Sequence, residues 1–191
     1  MHSMADLRDL HRGEELTIFG KGPSLDHFDT SSFSGIGICV NQSIRVVPQA
    51  SYYVGCGKGV LRELTGIWRP RHRFLLETKC AEWAWSSGVS PEQCYPFVAR
   101  KGLFSQWSVD RFARGELYSL TSNAQPAVCL ALLLGASFIR LVGCDGGRHW
   151  ARSVGCGTTR HTYDVIKHHT TKLLEWSKVP FEFWTSQASV A

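Results

Sequence analysis

Leu16-Thr17-Ile18-Phe19-Gly20-Lys21-Gly22-Pro23-Ser24-Leu25 is the stretch that decides how this chain folds. A short apolar run of β-type residues ends in two glycines, a proline and a serine. That order makes a strand that runs into a tight loop. Glycine tolerates φ > 0 and lets backbone N–H groups come close to an anion. Pro23 fixes the next turn, and Ser24 can cap whatever follows it. The spacing is not GxxxxGK[ST], which excludes a P-loop, and two glycines fall short of GxGxxG. The pattern points to a different nucleotide cradle on an α/β sheet, with Gly20, Lys21, Gly22, Pro23 and Ser24 as candidate nucleotide-binding residues.

Further short apolar runs follow. Gly35–Asn41, Ser51–Val54, Arg73–Leu76, Phe138–Asp145 and Phe181–Trp184 read as strands, each short and nearly continuous in its apolar character. That suits a parallel sheet buried on both faces. The clearest helix runs from Asn123 to Leu134. Thr121, Ser122 and Asn123 are good N-cap residues, Pro126 falls in the tolerated first turn, and Gly135 suits the position after the end. Its sequence is apolar almost all round, so it is expected to be buried against the sheet. A second helix is expected from Tyr163 to Ser177, with Pro180 beyond it. Helix, Gly135 and the strand from 138 make half of a βαβ unit.

Residues 80–120 differ in character. They mix Trp83, Trp85 and Trp107 with Pro91, Pro96 and four basic residues, and show no strong period. They read as a small lid-like insertion over the sheet edge. Such a segment can stack a sugar or base, or it can be a satellite core that holds itself down.

At 191 residues, with 43% hydrophobic residues, the chain has enough apolar material for one domain with a full core. No run approaches the roughly 18 apolar residues of a membrane span. The polar stretch Met1–His11 has no apolar signal region, and the expected location is the cytoplasm. A net charge of +5 favours anionic partners such as nucleotides, phosphates or nucleic acid. The seven cysteines are scattered without a CxxC pair, as in a reducing compartment. Cys144, His149, Cys156 and His161 are zinc-ligand types, but their spacing fits no standard site, so no metal is expected.

Three of these segments occur together and in order in a known pattern: Gly20-Lys21-Gly22-Pro23-Ser24-Leu25, then Val40-Asn41-Gln42, then Thr121-Ser122-Asn123-Ala124 leading through Leu134-Gly135-Ala136 to Val142-Gly143-Cys144-Asp145. The combination resembles the Campylobacter-type bacterial sialyltransferases, and the related family that contains the archaeal 6-hydroxymethylpterin diphosphokinase. The resemblance covers residues 14–60 and 118–185. It implies a Rossmann-like, mostly parallel sheet with helices on both faces, so that residues 1–191 form a single nucleotide-binding transferase domain.

By the same resemblance, the Gly20–Ser24 loop would hold the nucleotide phosphate and sugar. Asn41 would hydrogen-bond the nucleotide, and Thr121 and Ser122 would face the donor from a helix N-terminus. That end presents free N–H groups and partial positive charge. Asp145, a catalytic candidate together with His161 and Arg160, would lie at the carboxyl edge, where α/β sheets bind ligands. The sialyltransferases place a histidine general base shortly before their last helix. Here His161 holds that place, with Arg160 beside it; a neutral imidazole can take a proton near pH 7. His168 and His169 lie inside the helix. The family's two phosphate-steadying tyrosines have no counterpart in Gly146–Thr159, where Arg148, His149 and Arg152 stand instead.

The expected activity is metal-independent transfer of a sugar from a nucleotide-sugar donor, with no other cofactor, to an acceptor hydroxyl. The acceptor would be a glycan or, as in small phage enzymes, a hydroxymethylated base in DNA. Two rivals are diphosphate transfer from ATP to a small alcohol, and a non-catalytic nucleotide-binding module.

Overall fold

The computed structural model describes residues 2–55, 58–64, 66–67, 69, 71–86, 88–102, 106–120, 122–146, 151–154 and 164–185. Among them, eight strands form one sheet: β1 (Glu15–Phe19), β2 (Ile36–Val40), β3 (Tyr52–Gly55), β4 (Arg73–Glu77), β5 (Cys94–Arg100), β6 (Glu116–Tyr118), β7 (Phe138–Val142) and β8 (Phe181–Phe183). Their order across the sheet is β6-β5-β4-β3-β2-β1-β7-β8, and every neighbouring pair is parallel. The helices are α1 (Lys58–Glu63), α2 (Thr78–Ser86), α3 (Val109–Ala113), α4 (Ala124–Leu133) and α5 (Asp164–Ser177).

The period-2 alternation of strand side chains divides the core in two. Leu16, Ile18, Ile38, Val40, Tyr52, Val54, Ile139 and Leu141 pack with α3, α4 and α5 on one face. Phe19, Cys39, Tyr53, Phe74, Leu76 and Val142 pack with α1, α2 and the 3-10 turns on the other. Both faces are therefore covered by helices, as the strands' continuous apolar runs require. This is a Rossmann-like α/β fold.

Strand order reverses between β1 and β7. From β1 the chain winds outward through β2 to β6, then returns to place β7 on the other side of β1. In open α/β sheets ligands bind outside the carboxyl ends of the strands at such a reversal. Ile18 pairs in register with Leu141, and Phe19 with Val142. The loops leaving β1 and β7 thus start side by side.

Within 80–120, residues 94–100 and 116–118 form β5 and β6, the last two strands at one end of the sheet. β5 escapes a pattern search because it contains Pro96. The proline is accommodated because β6 joins β5 only from Val98 onward, so no partner strand lies where the missing N–H would point. Trp107 is 4% exposed. It packs against Phe112 and Tyr118, with ring centroids 6.0 and 5.4 Å away. That ring belongs to the core and leaves no free face for a ligand.

The N-terminal arm secures the far end of α4. The amides of Asp9, His11 and Gly13 donate to the carbonyls of Leu133, Leu134 and Gly135, each at 2.9 Å. These satisfy carbonyls that a helix end leaves without partners. Met4 and Leu7 are buried in the same core as α4. Leu7→Ala should lower stability by about 2–4 kcal/mol, measurable by urea unfolding; a change below ~1 kcal/mol would mean that the arm is not part of the cooperative unit.

Candidate functional site

The loop after β1 and the loop after β7 interlock at the strand-order reversal. The amide of Gly20 donates to the Val142 carbonyl at 2.7 Å, and that of Gly22 to the Gly143 carbonyl at 2.6 Å. In return, Gly143 N–H donates to the Ser24 hydroxyl at 2.8 Å, and Ser24 N–H donates to Asp145 Oδ2 at 2.9 Å. The glycines permit this approach. A Cβ on Gly20 would stand 2.3 Å from the Gly143 oxygen, and one on Gly22 2.4 Å from Asp145 Oδ2. Gly143 adopts φ +68, which turns the chain out of β7. The strand therefore ends at Val142, and Asp145 lies three residues beyond it rather than on its last position.

This geometry gives the loop amides a definite use. The N–H groups of Gly20, Gly22 and Ser24 already have protein acceptors, and Pro23 has no N–H to offer. Pro23 instead opens the 3-10 turn Pro23–His27, with Gly22 at its N-cap. The loop's charged side chain is Lys21, whose ammonium donates to Gln42 Oε1 at 2.9 Å. Gln42 is 4% exposed, and its amide nitrogen donates to Glu63 Oε2 at 3.1 Å. Gln42 therefore has a fixed orientation, with its oxygen toward Lys21.

β2 ends in a matching turn, Asn41–Arg45. The Ser43 hydroxyl donates to the Phe19 carbonyl at 2.7 Å and accepts from Val40 N–H at 2.9 Å, tying the end of β2 to the end of β1. Asn41 has φ +55, a left-handed conformation that asparagine tolerates better than most residues but that still carries strain. Its Oδ1 accepts from the Asn123 side-chain amide at 2.9 Å. The contact joins residues 82 positions apart in the chain and sets the start of α4 over the end of β2.

That helix start is tightly organised. The Ser122 hydroxyl accepts from Ala124 N–H at 3.1 Å. Gln125 is fully buried, and its Oε1 accepts from Leu120 N–H at 2.8 Å. Asn41, Asn123 and Ser122 thus stand together at the carboxyl edge, one strand away from the β1–β7 loops. Thr121 lies outside the described residues, as do Arg160 and His161. α5, whose first residue is Asp164, abuts the β7 loop: a Cβ on Gly146 would meet Asp164 Oδ1 at 2.8 Å. Of the two helix histidines, His168 is exposed and His169 half-buried.

Of the zinc-ligand types, Cys144 is described; burial pushes its thiol up to about 12, and Asp145 adds to the effect. Among the described residues, no three histidines, cysteines or carboxylates are grouped as a metal would need. Nor is any helix there long and apolar enough to cross a membrane.

Gln42, Ser43, Glu63, Asn123 and Gln125 are site residues that no motif in the sequence marks. The polar triplet Asn41-Gln42-Ser43 directly after an apolar strand was the available signal for the first two. Glu63 reaches the site through a contact with a residue 21 positions away, which no local pattern reveals.

No protein-family model matches the chain, and no curated protein matches it by sequence. Solved structures do match. A MAf glycosyltransferase from Magnetospirillum magneticum AMB-1 is 17% identical with a TM-score of 0.48; the match covers 77% of this chain but only 27% of that one. The sialyltransferase CstII from Campylobacter jejuni, solved with the substrate analogue cytidine-5'-monophosphate, is 13% identical with a TM-score of 0.49, over 92% of this chain and 82% of that one. A structure of the sialyltransferase CST-II with a trisaccharide acceptor and CMP is 13% identical with a TM-score of 0.52, over 89% of this chain and 80% of that one. The Rossmann-like fold that the sequence resemblance implied is therefore the fold this chain shares with the sialyltransferase CST-II.

Proposed function

We propose that this chain transfers a sugar from a nucleotide-sugar donor to an acceptor hydroxyl. The observation that carries the reading is the convergence of the Gly20–Ser24 loop, Asn41 and the start of α4 on the carboxyl edge, beside the strand-order reversal. Ligands of open α/β sheets bind at that place. The fold likeness to a sialyltransferase solved with CMP adds support.

In this reading the interlocked glycines hold the β1 and β7 loops together beside the donor, and Lys21 supplies charge to its phosphate. Asn41, Thr121 and Ser122 face the nucleotide. His161 takes the proton of the acceptor hydroxyl as its oxygen bonds to the anomeric carbon. The bond from that carbon to the phosphate oxygen breaks, and its electron pair leaves on the phosphate. Lys21, Arg160 and the N-terminal dipole of α4 offset the charge that develops there. Asp145, through its bond from Ser24 N–H, holds the loop in shape.

A thermal-shift screen of nucleotides and nucleotide sugars tests the reading. A true ligand at 100 times its Kd should stabilise the fold by about 2.7 kcal/mol. Turnover of a CMP- or UDP-sugar should persist in EDTA, because the sequence has no DxD pair to hold a divalent ion and the groups assigned to the phosphate are basic. Mg²⁺-dependent release of AMP from ATP would instead support diphosphate transfer, and nucleotide binding without turnover a non-catalytic module. The acceptor, glycan or hydroxymethylated DNA base, would then be found by assaying both with the donor so identified.

A further inference from the structure

Asp26 lies on the 3-10 turn that follows the glycine loop. Its carboxylate bonds across to a second short turn, Arg152–Val154, which falls between β7 and α5. Oδ2 accepts from Arg152 N–H at 2.6 Å. Oδ1 accepts from Ser153 N–H at 2.8 Å and also from the Ser153 hydroxyl. Some desolvation pushes the carboxyl up; the donors from Ser153 and Arg152, helped by the adjacent His27, outweigh it and hold the group below its ordinary 3.8.

The turn so held touches both arms of the proposed donor site. Ala151 N–H donates to the Lys21 carbonyl at 2.6 Å. The Val154 carbonyl accepts from Arg45 at 3.3 Å, and Arg45 closes the Asn41–Arg45 turn. Ala151 and Val154 are themselves buried beside Phe19, Leu25 and Ile44. Residues 151–154 are thus a bridge from the loop carrying Lys21 to the turn carrying Asn41 and Gln42. The carboxylate bonds to the bridge, and the bridge bonds to the site arms.

We propose that Asp26 is a positioning residue for the donor site: by holding the 151–154 turn it fixes the spacing between Lys21 and Asn41. This rests on the transferase reading for what the spacing serves. The bridge ends on the two site arms, at the Lys21 carbonyl on one side and at Arg45 on the other.

Three forms of the full chain decide it: wild type, Asp26→Ala and Asp26→Asn. Two quantities are read for each, amide hydrogen exchange across 151–154 and the affinity for CMP by titration calorimetry. The alanine variant should exchange at Arg152 and Ser153 at least about tenfold faster, because both amides lose a charged acceptor. CMP should bind it roughly five- to tenfold more weakly. The asparagine variant, which keeps one acceptor oxygen, should fall between the two in both quantities. Unchanged exchange in Asp26→Ala would overturn the anchor. Faster exchange with unchanged CMP affinity would overturn the positioning role and leave Asp26 a purely local tie. If wild type binds neither CMP nor UMP, AMP or GMP, the transferase reading fails and the positioning role with it, while the exchange data still report whether the anchor exists. Should Asp26→Ala not fold, Ser153→Ala removes one donor and should move both quantities in the same direction by a smaller factor; no movement there would overturn the proposal.

Discussion

Replacing His161 with alanine should cut kcat by about 10²–10⁴-fold while donor affinity changes little. A general base acts only as the acceptor oxygen attacks, so its loss appears in the chemical step and not in ground-state binding. His161 stands three positions before Asp164, the first residue of α5, and Asp164 packs beside Gly146 of the β7 loop. Its neighbours on the helix are the controls. His168→Ala should keep near-normal turnover, since that side chain is exposed on α5. If His161→Ala keeps turnover and His169→Ala loses it, the base is on the helix. If all three keep turnover, histidine catalysis is the wrong mechanism.

The second large effect is structural and falls on the interlocked glycines. Gly20→Ala places a methyl 2.3 Å from the Gly143 carbonyl oxygen and 2.9 Å from Cys144 Sγ. The obstacle is backbone held by the β1–β7 ladder, so it cannot swing aside as a side-chain end can. The two loops must part, at a cost of about 1–3 kcal/mol or more, and the hydrogen bonds at Val142 and Gly143 weaken with them. Gly22→Ala meets Asp145 Oδ2 and the Gly143 oxygen and should behave similarly. Both should lose nucleotide binding together with stability. Gly59 in α1 is the contrasting case: a Cβ there meets nothing within 4 Å. Gly59→Ala should stabilise by about 0.5–1 kcal/mol. Equal stability changes at Gly20 and Gly59 in urea unfolding would contradict the interlock.

What could be read from the sequence was what local pattern encodes. Leu16–Phe19 followed by Gly-Lys-Gly-Pro-Ser gave β1 and its loop, because an apolar run and paired glycines are both short-range signals. α4 was legible because it is apolar on every side and flanked by Ser122-Asn123 and Gly135. β5 was hidden by Pro96, tolerated only because of where β6 joins. β6, at three residues, is too short to show alternation. Trp107 read equally as a ligand platform or as core, and its contacts with Phe112 and Tyr118 make it core. Asn41 stands out as a polar residue closing a strand, but its partner Asn123 reads locally only as a cap; their contact spans 82 residues and depends on α4 returning across the sheet. The glycines were read as room for an anion, whereas the structure uses them to bring one loop against another. Nothing local marks Asp26, because the turn it holds lies 126 positions on.

A nucleotide should bind at the carboxyl edge beside the reversal between β1 and β7. A crystal structure of the full chain with CMP tests it most directly. CMP is expected within hydrogen-bonding reach of Asn41, with its phosphate toward Lys21 and the start of α4. CMP bound on the amino edge of the sheet, or more than one residue layer from both Asn41 and the Gly20–Ser24 loop, would contradict it.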